Sequence, residues 1–148
     1  MEAYTILVHI HSILRWALLV FLIIGILTAL NKNGNYMFLG IRLRQVSLWT
    51  MATAHLQLVT GFILYFISPK VVFEASSMSN NVLRFFLVEH ILVMIIAIIL
   101  VTIAHLKAKR RVDPIRQRRV ILIYFIISFM LILSRIPWPF MNYGGGWI

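Results

Sequence analysis

Long apolar stretches alternate along this chain with short polar ones, and they set the expected architecture. Four of them run over roughly residues 4–30, 46–67, 82–106 and 119–137, and each is about long enough to cross ~30 Å of hydrocarbon at 1.5 Å per residue. The pattern predicts four transmembrane helices in a single domain over 1–148, an all-α integral membrane protein built as an antiparallel four-helix bundle. Turn chemistry separates the segments at Asn31-Lys32-Asn33-Gly34-Asn35, at Ser68-Pro69-Lys70 with Ser76 to Asn81, and around Asp113-Pro114. The first segment lacks a basic leader, carries Arg15 in its middle and ends without a small-residue cleavage site, so it is expected to stay in the mature protein.

Composition supports a membrane protein. Of 148 residues, 61% are hydrophobic and only 12% charged, with a mean hydropathy of +0.94, far above a soluble domain. The net charge of +10 reads as a topology signal and not as a nucleic-acid footprint, because the basic residues sit between apolar segments. Lys107, Lys109, Arg110, Arg111, Arg116, Arg118 and Arg119 occupy the third loop, and Lys32, Arg42 and Arg44 the first. Both loops are expected to be cytoplasmic in a bacterial inner membrane, with anionic lipid beside them. The N-terminus, the Lys70–Arg84 loop with Glu74, and the C-terminal tail are then periplasmic, where Tyr4, Trp138, Phe140, Tyr143 and Trp147 suit an interfacial aromatic belt. The chain has no cysteine, which excludes disulfides, zinc–thiolate sites and iron–sulfur clusters. It also has no glycine-rich phosphate loop, nucleophile elbow or carboxylate pair, which argues against hydrolytic and phosphate-transfer chemistry.

Ionisable residues inside the spans carry the functional signal, since each costs at least ~2.5 kcal/mol in hydrocarbon unless paired. The first span carries His9, His11 and Arg15, the second His55 and Gln57, the third Glu89, His90 and His105, and the fourth ends at Arg135. Counted from the outer ends, His11, His55 and His90 lie at a common depth of roughly 15 to 18 Å, with Arg15 one turn below His11 and level with His55. His9 is about 200° around the helix from His11 and faces elsewhere.

Imidazoles at matched depth on facing helices are what a six-coordinate haem b needs. In an up-down-up-down bundle the first and third helices are diagonal, which favours His11 and His90 as the metal ligands. His55 remains an alternative ligand in a skewed bundle, or a hydrogen-bond partner for a propionate, a quinone or Arg15. The fourth span has no histidine, and His105, about 22 Å from His90 along its helix, lacks an opposite imidazole, so one haem is expected and not two. His105 itself reads as interfacial, with a quinone or second-cofactor role as its alternative.

Arg15 and Arg135 both need counter-charges, and Glu89 is the sole acid within the spans. Arg135 is expected to meet haem propionates, and Arg15 a quinone carbonyl or Glu89. Gln57 completes the candidate cofactor-binding set of His11, His55, His90, Arg15, Arg135, Glu89 and Gln57. Gly25 and Gly61 are expected to allow close helix approach or to leave room for a flat ring.

The segments His11-Ser12-Ile13-Leu14-Arg15-Trp16, Ala54-His55-Leu56-Gln57, Leu64-Tyr65-Phe66-Ile67-Ser68-Pro69-Lys70, Leu83-Arg84-Phe85-Phe86 with Glu89-His90, and Arg135-Ile136-Pro137-Trp138-Pro139-Phe140 resemble a family of small four-helix membrane proteins of Bacteroidetes labelled cytochrome b-like. The resemblance runs nearly end to end, and a more distant one is to the bis-histidine cytochrome b superfamily. The label itself rests on the histidine-bearing bundle, and no established activity is carried over from it. The residues thus lead to the expectation of a haem b protein that moves electrons, to or from a quinone or within a larger respiratory complex or homo-oligomer. Two alternatives stay open at this point: a non-catalytic partner or assembly subunit, and a copper or zinc site of His11, His55 and His90.

Overall fold

A computed structural model of the chain describes residues 2–31, 37–38, 40–143 and 146. Lys32, the turn signal Asn33-Gly34-Asn35 and Trp147 lie outside the described residues. The four apolar stretches form α1 (Glu2–Leu30), α2 (Leu43–Ile67), α3 (Asn81–Lys109) and α4 (Pro114–Ser134), each long and apolar enough to cross a membrane. A two-residue strand pair, Met37–Phe38 with Ile41–Arg42, precedes α2 and turns through Gly40 at φ 74°. The hydropathy pattern gave no sign of this pair.

Local chemistry places the helix ends. The fourth helix begins at Pro114, ahead of the apolar stretch, because the Asp113 carboxylate accepts from the Ile115 amide and Pro114 fits the first turn, where no amide donor is needed. In α3, the Asn80 side chain caps the amides of Val82 and Leu83. The same helix then contains a π turn at Phe85–Glu89, closed by the His90 amide donating to the Phe85 carbonyl. Such turns widen a helix locally and often occur at functional sites.

Helix α1 packs on α2 and α4, and α3 packs on α2 and α4, so α1 and α3 stand across from each other. The closest packing lies in the half that holds the start of α2 and the end of α3. Leu22, Val46, Val101, Ala104, Ile121 and Phe125 are fully buried there. Gly25 admits the Phe125 ring, since a Cβ on it would lie 2.5 Å from Phe125 Cε2. The buried hydroxyls of Thr28, Thr50 and Ser128 donate to the carbonyls of Ile24, Val46 and Ala97, leaving no cost of an unmade bond. Large apolar side chains such as Ile13, Val59, Phe66 and Met130 cover the outer faces, a surface compatible with lipid contact.

Candidate functional site

The other half of the molecule holds an open space between the helices. A cavity of about 210 Å³ opens between α1, α2, α3 and the segment after α4. One face of α1 supplies Val8, His11, Ser12, Arg15 and Leu18, which follow helical spacing. Gln57, Leu58, Gly61 and Tyr65 come from α2, and Phe86, His90, Met94 and Ile98 from α3.

Two prolines prepare the anchor for His90. Helix α4 stops after Ser134, so the carbonyls of Leu133 and Arg135 would look for amide donors at positions 137 and 139. Both positions are proline and have no amide hydrogen. The Leu133 carbonyl accepts from the Trp138 indole Nε1 at 3.0 Å instead. The Arg135 carbonyl lies 2.7 Å from His90 Nδ1. A carbonyl only accepts, so Nδ1 carries the hydrogen and Nε2 keeps its lone pair. That is the tautomer of a metal-ligating histidine whose second nitrogen is fixed by the backbone.

The hydrogen-bond network gives His11 the same tautomer. Thr60 Oγ1 lies within hydrogen-bond reach of the carbonyls of Leu56 and Gln57, at 3.0 and 3.1 Å. Its hydrogen is committed to them, and it accepts from His11 Nδ1 at 3.3 Å. His11 Nε2 then accepts from Gln57 Nε2 at 3.1 Å. This arrangement leaves Gln57 Oε1 buried with no hydrogen-bond partner among the described residues. Gly61 faces the ring, and a Cβ there would lie 3.0 Å from His11 Cε1, so this glycine makes room for an imidazole.

His55 is not in this group. It is exposed on the outer face of α2, with Nδ1 2.8 Å from the carbonyl of Met51 on its own helix. Depth alone suggested that it met His11 and His90. It stands two residues from Gln57, however, and is turned about 200° away. Arg15 accordingly does not adjoin His55. Its guanidinium lines the cavity and donates to the Gly146 carbonyl at 3.4 Å. With His55 outside, the three-histidine copper or zinc arrangement is not assembled, and no cluster of three or more His, Asp or Glu that could hold a metal occurs among the described residues.

Glu89 also corrects the expected pairing. Its carboxylate bridges Arg84 Nε at 3.0 Å and Arg135 Nη1 at 3.3 Å. The expected propionate partner, Arg135, is therefore held by Glu89 and does not line the cavity, whereas Arg15 and Lys70 do. Arg84 was read only as a loop charge. It reaches Glu89 five residues on, a spacing matched by the i-to-i+5 period of the π turn. Tyr65 braces the same turn by donating to the Leu87 carbonyl at 3.0 Å.

His105, at the far end of α3, is buried within the protein. Its Nδ1 lies 3.0 Å from Ser47 Oγ on α2, and that hydroxyl donates to the Arg44 carbonyl.

The cavity thus brings together two imidazoles from helices on opposite sides, that of His11 engaged by Gln57, with apolar walls and two cations. Its volume exceeds the roughly 150 Å³ that admits a benzene ring and falls below the roughly 300 Å³ where drug-sized ligand sites begin. As the side chains stand, the space is on the scale of a single ring and smaller than a tetrapyrrole. No family model, curated protein or solved structure matches the chain.

Proposed function

We propose that this chain is an antiparallel four-helix membrane protein that holds one haem b between His11 and His90 and carries electrons. It does so in a bacterial inner membrane, with both termini on the periplasmic side. The observation that carries this reading is the His90 Nδ1 contact with the Arg135 carbonyl, which leaves Nε2 as a bare nitrogen donor on the helix diagonal to His11. A haem bound there would be held by His11 and His90 and would supply one-electron redox chemistry.

The chain's own residues perform the rest. The Arg135 carbonyl and Thr60 hold the two rings in the ligating tautomer. Gln57, which donates to His11 Nε2 at 3.1 Å, would have to give up that bond for the nitrogen to ligate. Arg15 and Lys70 place positive charge beside the carboxylates of a porphyrin, and the Leu, Ile and Met side chains of the wall keep water out. Partners for the electron are a quinone or another subunit of a respiratory assembly.

The test is spectroscopic. Protein produced with ample haem and purified in detergent is expected to show a Soret band and a sharp reduced-minus-oxidised α-band, both lost in His11→Ala and His90→Ala. A colourless wild type would overturn the reading. A second reading rests on the cavity volume and on the unpartnered Gln57 Oε1: the site binds a quinone headgroup, with Arg15 donating to a carbonyl and Gln57 accepting from the hydroxyl of the reduced form. Quinone recovered in stoichiometric amount from a colourless preparation would select it.

A further inference from the structure

At the opposite end of the molecule a second cavity, of about 310 Å³, lies between the start of α2 and the end of α3. Its lining is Arg42, Arg44, Gln45, Leu48, His105 and Lys109. We propose that it is a binding site for the phosphate-bearing headgroup of an anionic phospholipid.

Charge is the first reason. Three cations converge on one concavity. The chain has four acids, Glu2, Glu74, Glu89 and Asp113, and no ion pair to Arg42, Arg44 or Lys109 occurs among the described residues. Asp113, in the neighbouring turn, is engaged by Arg116 at 3.4 Å. The local excess of positive charge has no protein counter-ion, and a phosphate accepts from several such donors at once.

Construction is the second reason. The floor is fixed by the buried bond between His105 and Ser47, which ties α3 to α2 directly behind the cations. Gln45 Oε1 accepts from the Arg42 amide at 3.2 Å, which pins the chain where it enters α2. A free phosphate would satisfy the charges equally well, but the walls favour a lipid. Leu48 lines the cavity and is half exposed, and Trp49 beside it is exposed as well. Acyl chains leaving the site would run along this apolar flank of α2. Basic pockets between helices at the cytoplasmic side are suited to anionic headgroups.

The experiment measures thermal unfolding of the purified full chain in a neutral detergent with added phosphatidylglycerol, phosphatidylcholine or inorganic phosphate. Phosphatidylglycerol is expected to raise the unfolding temperature in a saturable way, and the other two are not. The Arg44→Gln/Lys109→Gln double variant should bind phosphatidylglycerol about tenfold more weakly or worse, as expected for lost charge-assisted bonds. The Arg111→Gln/Arg119→Gln double variant removes the same charge outside the cavity and should bind as wild type. Arg42→Gln alone gives a second variant should the first double fold poorly. Equal weakening by both double variants, equal stabilisation by phosphatidylcholine, or full stabilisation by inorganic phosphate would each overturn the proposal.

Discussion

His90 Nδ1 and the Arg135 carbonyl oxygen are 2.7 Å apart, a bond between the third helix and the first residue beyond the fourth. Pro139 has no amide hydrogen to compete for that carbonyl. The His90 ring on α3 is therefore tied to a helix ending elsewhere in the chain. Replacing His90 with Gln is expected to abolish pigment, while His55→Gln, on the exposed face, leaves both the spectrum and the unfolding temperature close to wild type, within about 0.5 kcal/mol. Absorbance per mole of purified protein and thermal unfolding check both.

Trp138 serves the other freed carbonyl, that of Leu133. Trp138→Phe keeps an aromatic ring but removes the donor, and the expected loss is about 1–3 kcal/mol. Chemical or thermal unfolding in detergent reads it. An unchanged stability would show that solvent or another group satisfies Leu133.

Gly61 and Gly25 answer differently to a methyl group. In Gly61→Ala the new Cβ meets the edge of the His11 ring at 3.0 Å, and in Gly25→Ala it meets the Phe125 ring at 2.5 Å. Overpacking of this kind costs about 1–3 kcal/mol. Gly25→Ala should be the more damaging to stability and be partly rescued by Phe125→Leu. Gly61→Ala should instead disturb the ligand site, seen as weakened pigment at a milder stability loss.

Glu89 holds two guanidiniums, and each arginine holds one carboxylate. Glu89→Gln is therefore expected to destabilise more than Arg84→Gln or Arg135→Gln. All three groups are partly exposed, so the losses should stay near ~1 kcal/mol and shrink at high salt. Unfolding at two salt concentrations tests the ranking.

Ser47→Ala removes the acceptor for His105 inside the packed half. A buried polar group left unpaired costs about 1–3 kcal/mol, so stability should fall while any pigment bound between His11 and His90 is retained. Loss of pigment in this variant would mean that the two ends of the molecule are coupled.

Much of this was legible before the structure, and the rest was not for definite physical reasons. The four helices follow from apolar runs, and the shared cavity of His11 and His90 follows from depth counted along two helices. His55 was misplaced because depth carries no information about direction around a helix, and Gln57 with Gly61 set the inward face of α2. The π turn at Phe85–Glu89 leaves the apolar pattern unchanged, so the Arg84–Glu89 pair at a spacing of five had no sequence signal. The prolines at 137 and 139 follow the end of α4 and donate no amide hydrogen, but nothing in the sequence shows which side chains reach the carbonyls before them.

The two halves of the molecule are built differently. Around Gly25 and Phe125 the side chains pack closely, whereas the cavity beside His11 and His90 opens at the other end of the bundle. On the proposed reading, a redox group held there would be reached from one end only, so electrons would enter and leave at a single face and not cross from one side to the other.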